Sequence, residues 1–372
     1  MSQLYPEVKD ATSLGPRFSQ ALYLPIGIEG QKDAGGTQAI LVPAVITRPS
    51  EADTLFGPAS PLALLVRFVL GRGVPQVTAV ASASAAGPTL PQRQAAWAIQ
   101  EANPDLRIRL TDSITQADLV ALADSAENAE LIQNKQVAFV GMANATSSAN
   151  LITAAAAIAS KRAVLVAPGF YDENGTLRTG AYAAAAVAAE VAKNSDLSDD
   201  LDTMRLAAFT DVERDSTGLP MFRIKVTAGV AVNDMETLLQ GGVSMLRRGR
   251  YGGVEIAHLR TTWTTDTTFD AVMTRLIVDQ LFIDVRDYAE TQNFLRRGNT
   301  LTNRNDLKAG VEALLAERSN WVKPLTQPDG TAGYGVAIIP SADNKSVTVS
   351  YKGEVIRGIQ TILVDAQLVI PV

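Results

Sequence analysis

Residues 136–169 read QVAFVGMANATSSANLITAAAAIASKRAVLVAPG: an apolar run, a loop, an alanine-rich stretch and a second apolar run. Short apolar runs bounded by turn residues predict buried strands at QVAFVGMA (136–143) and AVLVAPG (163–169). Alanine favours a helix over ANLITAAAAIASKR and lets it lie close to a sheet. Strand, helix, strand is the unit of a largely parallel sheet.

The same alternation spreads both ways. TQAILVPAVIT (37–47), QVTAVAS (76–82) and MRLAAFT (204–210) are further strand candidates, and TGAYAAAAVAAEVAKN is a second alanine-rich helix. In SPLALLVRFVLGRG, Ser60 is placed to cap a helix, Pro61 to take its first position and Gly71 to follow its last turn. From Ala21 to about Thr210 the chain predicts an α/β sandwich.

A different pattern begins near Val226. Gly242–Leu246 and Gly253–Thr265 predict extended segments around the turn RRGRYGG, with Val254, Ile256 and His258 on one side of the second strand. Thr267 and Asp270 have capping-box spacing ahead of a long helix with a wide apolar stripe, from Phe269 and Val272 to Val285 and Tyr288. Asn305 is expected to cap another helix carrying Leu307, Val311, Leu314 and Leu315. Val347, Val349 and Tyr351, then Leu368, Ile370 and Val372, alternate as strands do. This part reads as α+β and as a separate layer.

Composition narrows the chemistry. A chain of 372 residues suggests two or three domains. It has no Cys, which removes disulfides and thiolate chemistry, and its single His258 would have to carry any triad or zinc site alone. No apolar run is long enough to span a membrane, and MSQLYPEVKD lacks the basic start and apolar core of a signal peptide. The net charge of −6 argues against nucleic acid as a partner. From Val243 onward 15 Lys and Arg face 14 Asp and Glu, so the C-terminal third is near neutral and can face a different partner from the rest.

Each candidate site has an ordinary reading beside the chemical one. His258 sits between apolar strand residues with no metal-ligand spacing nearby, so it reads as a packed or hydrogen-bonded strand histidine. Arg247, Arg248 and Arg250 could grip phosphate, but balancing carboxylates favour a solvated hairpin or a protein contact. The loops of VGMANATSSANLITAA and VAPGFYDENGTLRTGAYAA have the geometry that offers N–H groups to phosphate, without GxGxxG or GxxxxGK[ST]. Asp172, Glu173, Asp211 and Glu213 follow strand ends, where a divalent cation could be held. The chain ends on QLVIPV, a strand that can pair within its own domain or add to a neighbour's sheet.

Three stretches carry a resemblance: EADTLFGPASPLALLVRFVL (51–70), the strand–helix series ending in GAYAAAAVAAEVA, and residues 236–288, which include LLQGGVSMLRRGRYGGVEIAHLRTTWTTDTTFD. In this order they resemble the contractile tail sheath proteins of phages and related injection machines. The match covers roughly residues 20 to 290. The sequence departs from the family at NSDLSDDLDTM, where many members carry a proline-rich stretch, and in its short N-terminal region. The resemblance implies an outer α/β sandwich domain (21–235, subdivided near 21–50) inserted before an inner α+β sheath domain (236–350). An N-terminal arm (1–20) and a C-terminal arm or strand (351–372) would flank them.

It also implies a structural subunit, with no cofactor or metal, that stacks as hexameric rings around a tail tube and contracts to drive the tube through an envelope. Its partners would be further copies, the tube protein, baseplate and terminator proteins, with neither nucleic acid nor membrane insertion. Its place would be a virion tail assembled in a host cytoplasm. Leu368, Val369, Ile370 and Val372, with Leu4, Tyr5 and Val8, are the residues expected to exchange strands between subunits. Arg247, Arg248 and Arg250 are candidate contacts to the tube or a neighbour. Two other readings stay open: an α/β enzyme with a nucleotide or metal site at its strand ends, and a baseplate protein sharing the inner domain.

Overall fold

The computed structural model describes residues 23–84, 86–194, 196–199, 201–227, 230–265, 271–292, 294, 298–328, 330–343, 346–357 and 360–371. Leu4, Tyr5, Val8 and Val372, and the capping pair Thr267 and Asp270, lie outside the described residues.

A nine-stranded sheet organises the chain. Its strands are β1 (Ile26–Lys32), β2 (Ala44–Ile46), β3 (Val77–Ser84), β4 (Ile108–Thr111), β5 (Val137–Gly141), β6 (Ala163–Ala167), β7 (Arg205–Leu206), β8 (Val243–Arg248) and β9 (Val254–His258). In space they run β2-β3-β1-β4-β5-β6-β8-β9-β7. The six from β3 to β8 are parallel, and β2 at one edge and the pair β9 and β7 at the other are antiparallel to their neighbours. The central order β3-β1-β4-β5-β6 is that of a doubly wound fold.

Helices cover both faces. The helices are α1 (Pro49–Phe56), α2 (Pro61–Gly71), α3 (Leu90–Glu101), α4 (Gln116–Leu131), α5 (Ser148–Ile158), α6 (Gly180–Lys193), α7 (Asp234–Gln240), α8 (Val272–Thr291) and α9 (Leu301–Glu317). Ser60 caps α2 as expected, its side chain accepting the Ala63 N–H at 3.0 Å. Alternation along the strands splits the core. Phe139, Val164 and Val166 pack with α2, α6 and α8, whereas Ala138, Val140 and Leu165 pack with α3, α4, α5 and α7.

A second sheet is built from β10 (Val322–Lys323), β11 (Ala337–Pro340), β12 (Ser346–Arg357) and β13 (Gln360–Pro371). β10 and β11 share one edge of β12, and β13 runs along the other from Ser346↔Pro371 to Arg357↔Gln360. Among the described residues no strand pairs with the far edge of β13.

Several expectations change here. Strand β8 pairs in parallel with β6 (Val243↔Leu165 to Met245↔Ala167), so the main sheet crosses the boundary expected at 235/236. One buried apolar cluster includes residues from Leu24 to Val355. Within the stretch 21–50, strand β1 lies inside the main sheet and β2 at its edge. Position 351, where the C-terminal arm was expected to begin, lies inside β12, since Tyr351 and Val355 continue the buried alternation of Val347 and Val349. Of TQAILVPAVIT only Ala44–Ile46 is strand, and Ile40, Leu41 and Val42 are exposed. Helix α9 is capped by Thr300, not Asn305, and buries Leu307, Val311, Leu314 and Leu315 as its spacing requires.

Candidate functional site

A doubly wound sheet opens a crevice at the carboxyl ends of its strands where the winding reverses, here between β1 and β4. The protein fills that place with its own side chains. Glu29, fully buried, receives Arg93 Nη1 at 2.9 Å and Thr111 Oγ1 at 2.7 Å. Arg93 also meets Asp112 at 2.7 Å and Asp118 at 3.1 Å. Burial raises the Glu29 carboxyl, Asp112 adds to the rise, and Arg93 opposes it. The cluster ties α3 and the start of α4 to two central strands. The Arg93 guanidinium is thus engaged by three carboxylates of its own chain.

The strand ends of β5 and β6 are closed as well. A Cβ at Gly141 would fall inside the Gly180 carbonyl, and one at Gly180 would meet the backbone of Met142. The Gly180 N–H donates to the Met142 carbonyl at 3.0 Å, so the first turn of α6 is stapled to the end of β5 and is not presented to a phosphate. Glu213 accepts the backbone N–H groups of Ala145 and Gly169. Burial raises its carboxyl and those two hydrogen bonds oppose the rise. The cavity beside it measures about 10 Å³, room for about one water, whereas small-molecule sites need about 300 Å³ or more.

Asp172 and Asp211 are engaged as well, and Glu173 is exposed. Asp172 accepts Asn174 N–H at 3.0 Å and Thr176 N–H at 2.9 Å and pairs with Arg178 at 2.8 Å. Asp211 pairs with Arg214 at 2.7 Å and Arg248 at 3.8 Å. Among the described residues no group of three or more His, Asp and Glu side chains could hold a metal ion. The close contact gives a test: Gly141→Ala should cost ~3 kcal/mol through backbone displacement. Urea unfolding measures it, and a variant as stable as the parent would refute the packing described.

His258 Nδ1 is hydrogen-bonded to Asp202, whose other oxygen accepts the Leu259 N–H at 3.2 Å. The pair ties β9 to the segment preceding β7. At the other end of β9 the turn carries the three arginines. Arg247 pairs with Glu255 at 3.3 Å, Arg248 reaches Asp211, and the Arg250 guanidinium lies 5.8 Å from the ring of Tyr251. Tyr251 is 86% exposed.

Helix α8 passes beneath the amino ends of the parallel strands, opposite to where α/β enzymes place their chemistry. Asp279 receives both terminal nitrogens of Arg162, in the turn before β6, at 2.8 and 3.0 Å. Ile283 and Asp287 line a cleft with Pro25, Gln76 and Arg107 from the turns before β1, β3 and β4. Arg162 Nε donates to Glu130 at 2.6 Å, Arg275 bonds Glu130 and Asp279, and Lys135 reaches Glu130 at 3.1 Å. Burial raises the Asp279 carboxyl, and Arg162 and Lys135 pull it back. The sequence reading missed this network. Its signal was Asp279 and Asp284, two carboxylates within the apolar stripe of α8, both buried.

Leu368, Val369 and Ile370 lie in β13, with backbone partners Val349, Thr348 and Val347 of the same chain. Within the single chain, the terminal strand therefore pairs with its own domain.

This architecture is the fold of contractile tail sheath proteins. The sheath tail protein of Listeria innocua matches with a TM-score of 0.71 at 12% identity, over 96% of this chain and 97% of that one. The sheath tail protein of Desulfitobacterium hafniense matches at 0.69 and 12%, over 93% and 96%. The contracted helical sheath of the anti-feeding prophage matches at 0.65 and 11%, over 93% of each chain. The sequence matches no protein-family model and no curated protein. The family resemblance drawn from residues 51–70 and 236–288 thus reappears as a shared fold along nearly the whole chain.

Proposed function

We propose that this chain is a structural subunit of a contractile tail sheath. The observation that carries the reading is the match of more than nine-tenths of the chain to sheath proteins from several machines. Closed strand ends support it, because a sheath stores energy in two packings of the same bodies and needs no nucleophile, nucleotide or metal. Subunits stack as hexameric rings around a tail tube, and their terminal strands pair with neighbours' sheets. Contraction drives the tube through a target envelope. Baseplate and terminator proteins close the two ends, in a virion tail or an extracellular injection particle built in a host cytoplasm. Arg247, Arg248 and Arg250 meet the tube or a neighbour. Among the described residues no helix is long and apolar enough to cross a membrane.

The test is negative-stain microscopy of the protein produced with and without its tube partner. Long striated tubes that shorten on denaturant or heat shock are expected. Single rings would place the chain in a baseplate, and a permanently monomeric protein would end the sheath reading.

A further inference from the structure

We propose that in the polymer the hairpin tip of one copy, Arg250 and Tyr251, docks on the exposed end of α4 in the next copy, at Asp124, Leu131 and Ile132. This rests on the sheath reading, in that it assumes a polymer of this chain.

The tip is built to hold a shape. The Gly249 N–H donates to the Gly253 carbonyl and the Gly252 N–H to the Gly249 carbonyl, both at 3.0 Å. Gly252 and Gly253 take φ of 84° and 77°, which other residues rarely adopt. The turn therefore presents Arg250 and Tyr251 at little entropic cost, and these are residue types that anchor interfaces. Arg247 and Arg248 are held by Glu255 and Asp211 within the chain, whereas the Arg250 guanidinium lies against the ring of Tyr251 at the tip.

The complementary surface lies on α4. Over Gln116–Leu131 the helix carries Asp118, Asp124, Glu127 and Glu130 and no Lys or Arg. Arg93 takes up Asp118, Ser160 bonds Glu127, and Arg162 and Arg275 hold Glu130. Asp124 stays exposed on the same helical stripe as Asn128 and Leu131, at spacings of four and three residues. Leu131 is 81% and Ile132 57% exposed, so the pair offers adjacent apolar surface at the helix end. A carboxylate beside an aliphatic pair fits a guanidinium beside a phenol ring.

Position in the fold gives the contact a direction. Because β8 runs parallel to β6, the tip that follows Arg248 projects from the carboxyl ends of the strands. Helix α4 returns the chain to the amino end of β5, so Leu131 and Ile132 sit at the opposite end. Donor and acceptor are separated by at least a strand length, about 17 Å for five residues. A contact of this heterologous kind adds copies head to tail and generates rings or helices rather than closed dimers. Repetition along a polymer makes a modest single contact effective.

The chain has no cysteine, so introduced thiols are unique. A short bis-maleimide applied to assembled protein should link Tyr251→Cys to Leu131→Cys as dimers when the two single variants are co-assembled. The double variant should give a ladder, and neither single variant should cross-link alone. Arg250→Glu should raise the concentration needed for assembly by about tenfold, and adding Asp124→Arg should restore it. Both sites are on the surface, so circular dichroism of the variants should match the parent. Tubes that assemble without this cross-link, or that Tyr251→Cys alone links, would overturn the proposal and leave the sheath reading standing. Absence of tubes in the parent protein would overturn both.

Discussion

Asp279→Ala should lower the unfolding free energy of the isolated subunit by about 3–5 kcal/mol, the range for removing one partner of a buried ion pair. Arg162 is completely buried at its side chain and Asp279 nearly so, at 0% and 4% exposure. With Asp279 gone, Glu130 would be the carboxylate left in this network for Arg162, Arg275 and Lys135, and two of those cations are buried. The penalty comes from the charge left behind rather than from the bond lost. Removing both charges together, as Arg162→Met with Asp279→Ala, should therefore recover much of the loss and, with the two single variants, give a coupling energy of ~2 kcal/mol or more. Denaturant unfolding of the four proteins closes the cycle. An Asp279→Ala protein within 1 kcal/mol of the parent would refute a network that ties α8 to the sheet.

That network also shows where reading the sequence stops. The strand–helix alternation was legible at β3, β5 and β6, which are short apolar runs, and at α2, α5 and α6, which have a capping serine or an alanine-rich face, but not at β1 (IGIEGQK) or β4 (IRLT), where charged residues interrupt the run. Val243–His258 was legible as two extended segments around a glycine turn, but not as the continuation of the main sheet. Pairing of β8 with β6 joins residues nearly eighty positions apart and leaves no local mark. The run TQAILVPAVIT misled for a different reason. An apolar run predicts burial only when something covers it, and here Ile40, Leu41 and Val42 lie on the surface, 42%, 37% and 45% exposed.

Among the proposed sites, legibility followed the same line. The three arginines and the terminal strand could be named from the sequence because they are contiguous. Arg93 with Glu29 and Asp112, or Arg162 with Asp279, could not. Each pair is assembled from distant segments, and a single Arg in a helix or turn looks like any solvated charge. His258 shows the limit from the other side. Its strand position was readable, but its partner Asp202 lies in the stretch where the sequence departs from the family pattern.

Deleting residues 366–372 should abolish tubular assembly while leaving the subunit folded. The deletion removes the β13 partners of Ser346–Tyr351, about half the ladder, and leaves the nine-stranded sheet and its helices intact. Far-ultraviolet circular dichroism should change little, whereas microscopy should find no tubes. Normal-length tubes from the truncated protein would refute strand exchange through this segment. A finer version separates two roles of the same strand. In an antiparallel ladder successive N–H groups face opposite edges, so one of each adjacent pair faces β12 and the other the open edge. Proline removes the N–H at a single position. Substituted at Leu368 and at Val369 in turn, it should give one variant that weakens the hairpin with β12. The other should keep a normal hairpin and lose assembly, because the ladder it breaks is the one offered to a neighbour. If both variants assemble normally, the open edge of β13 takes no part in the polymer, and the subunits must be joined by other surfaces.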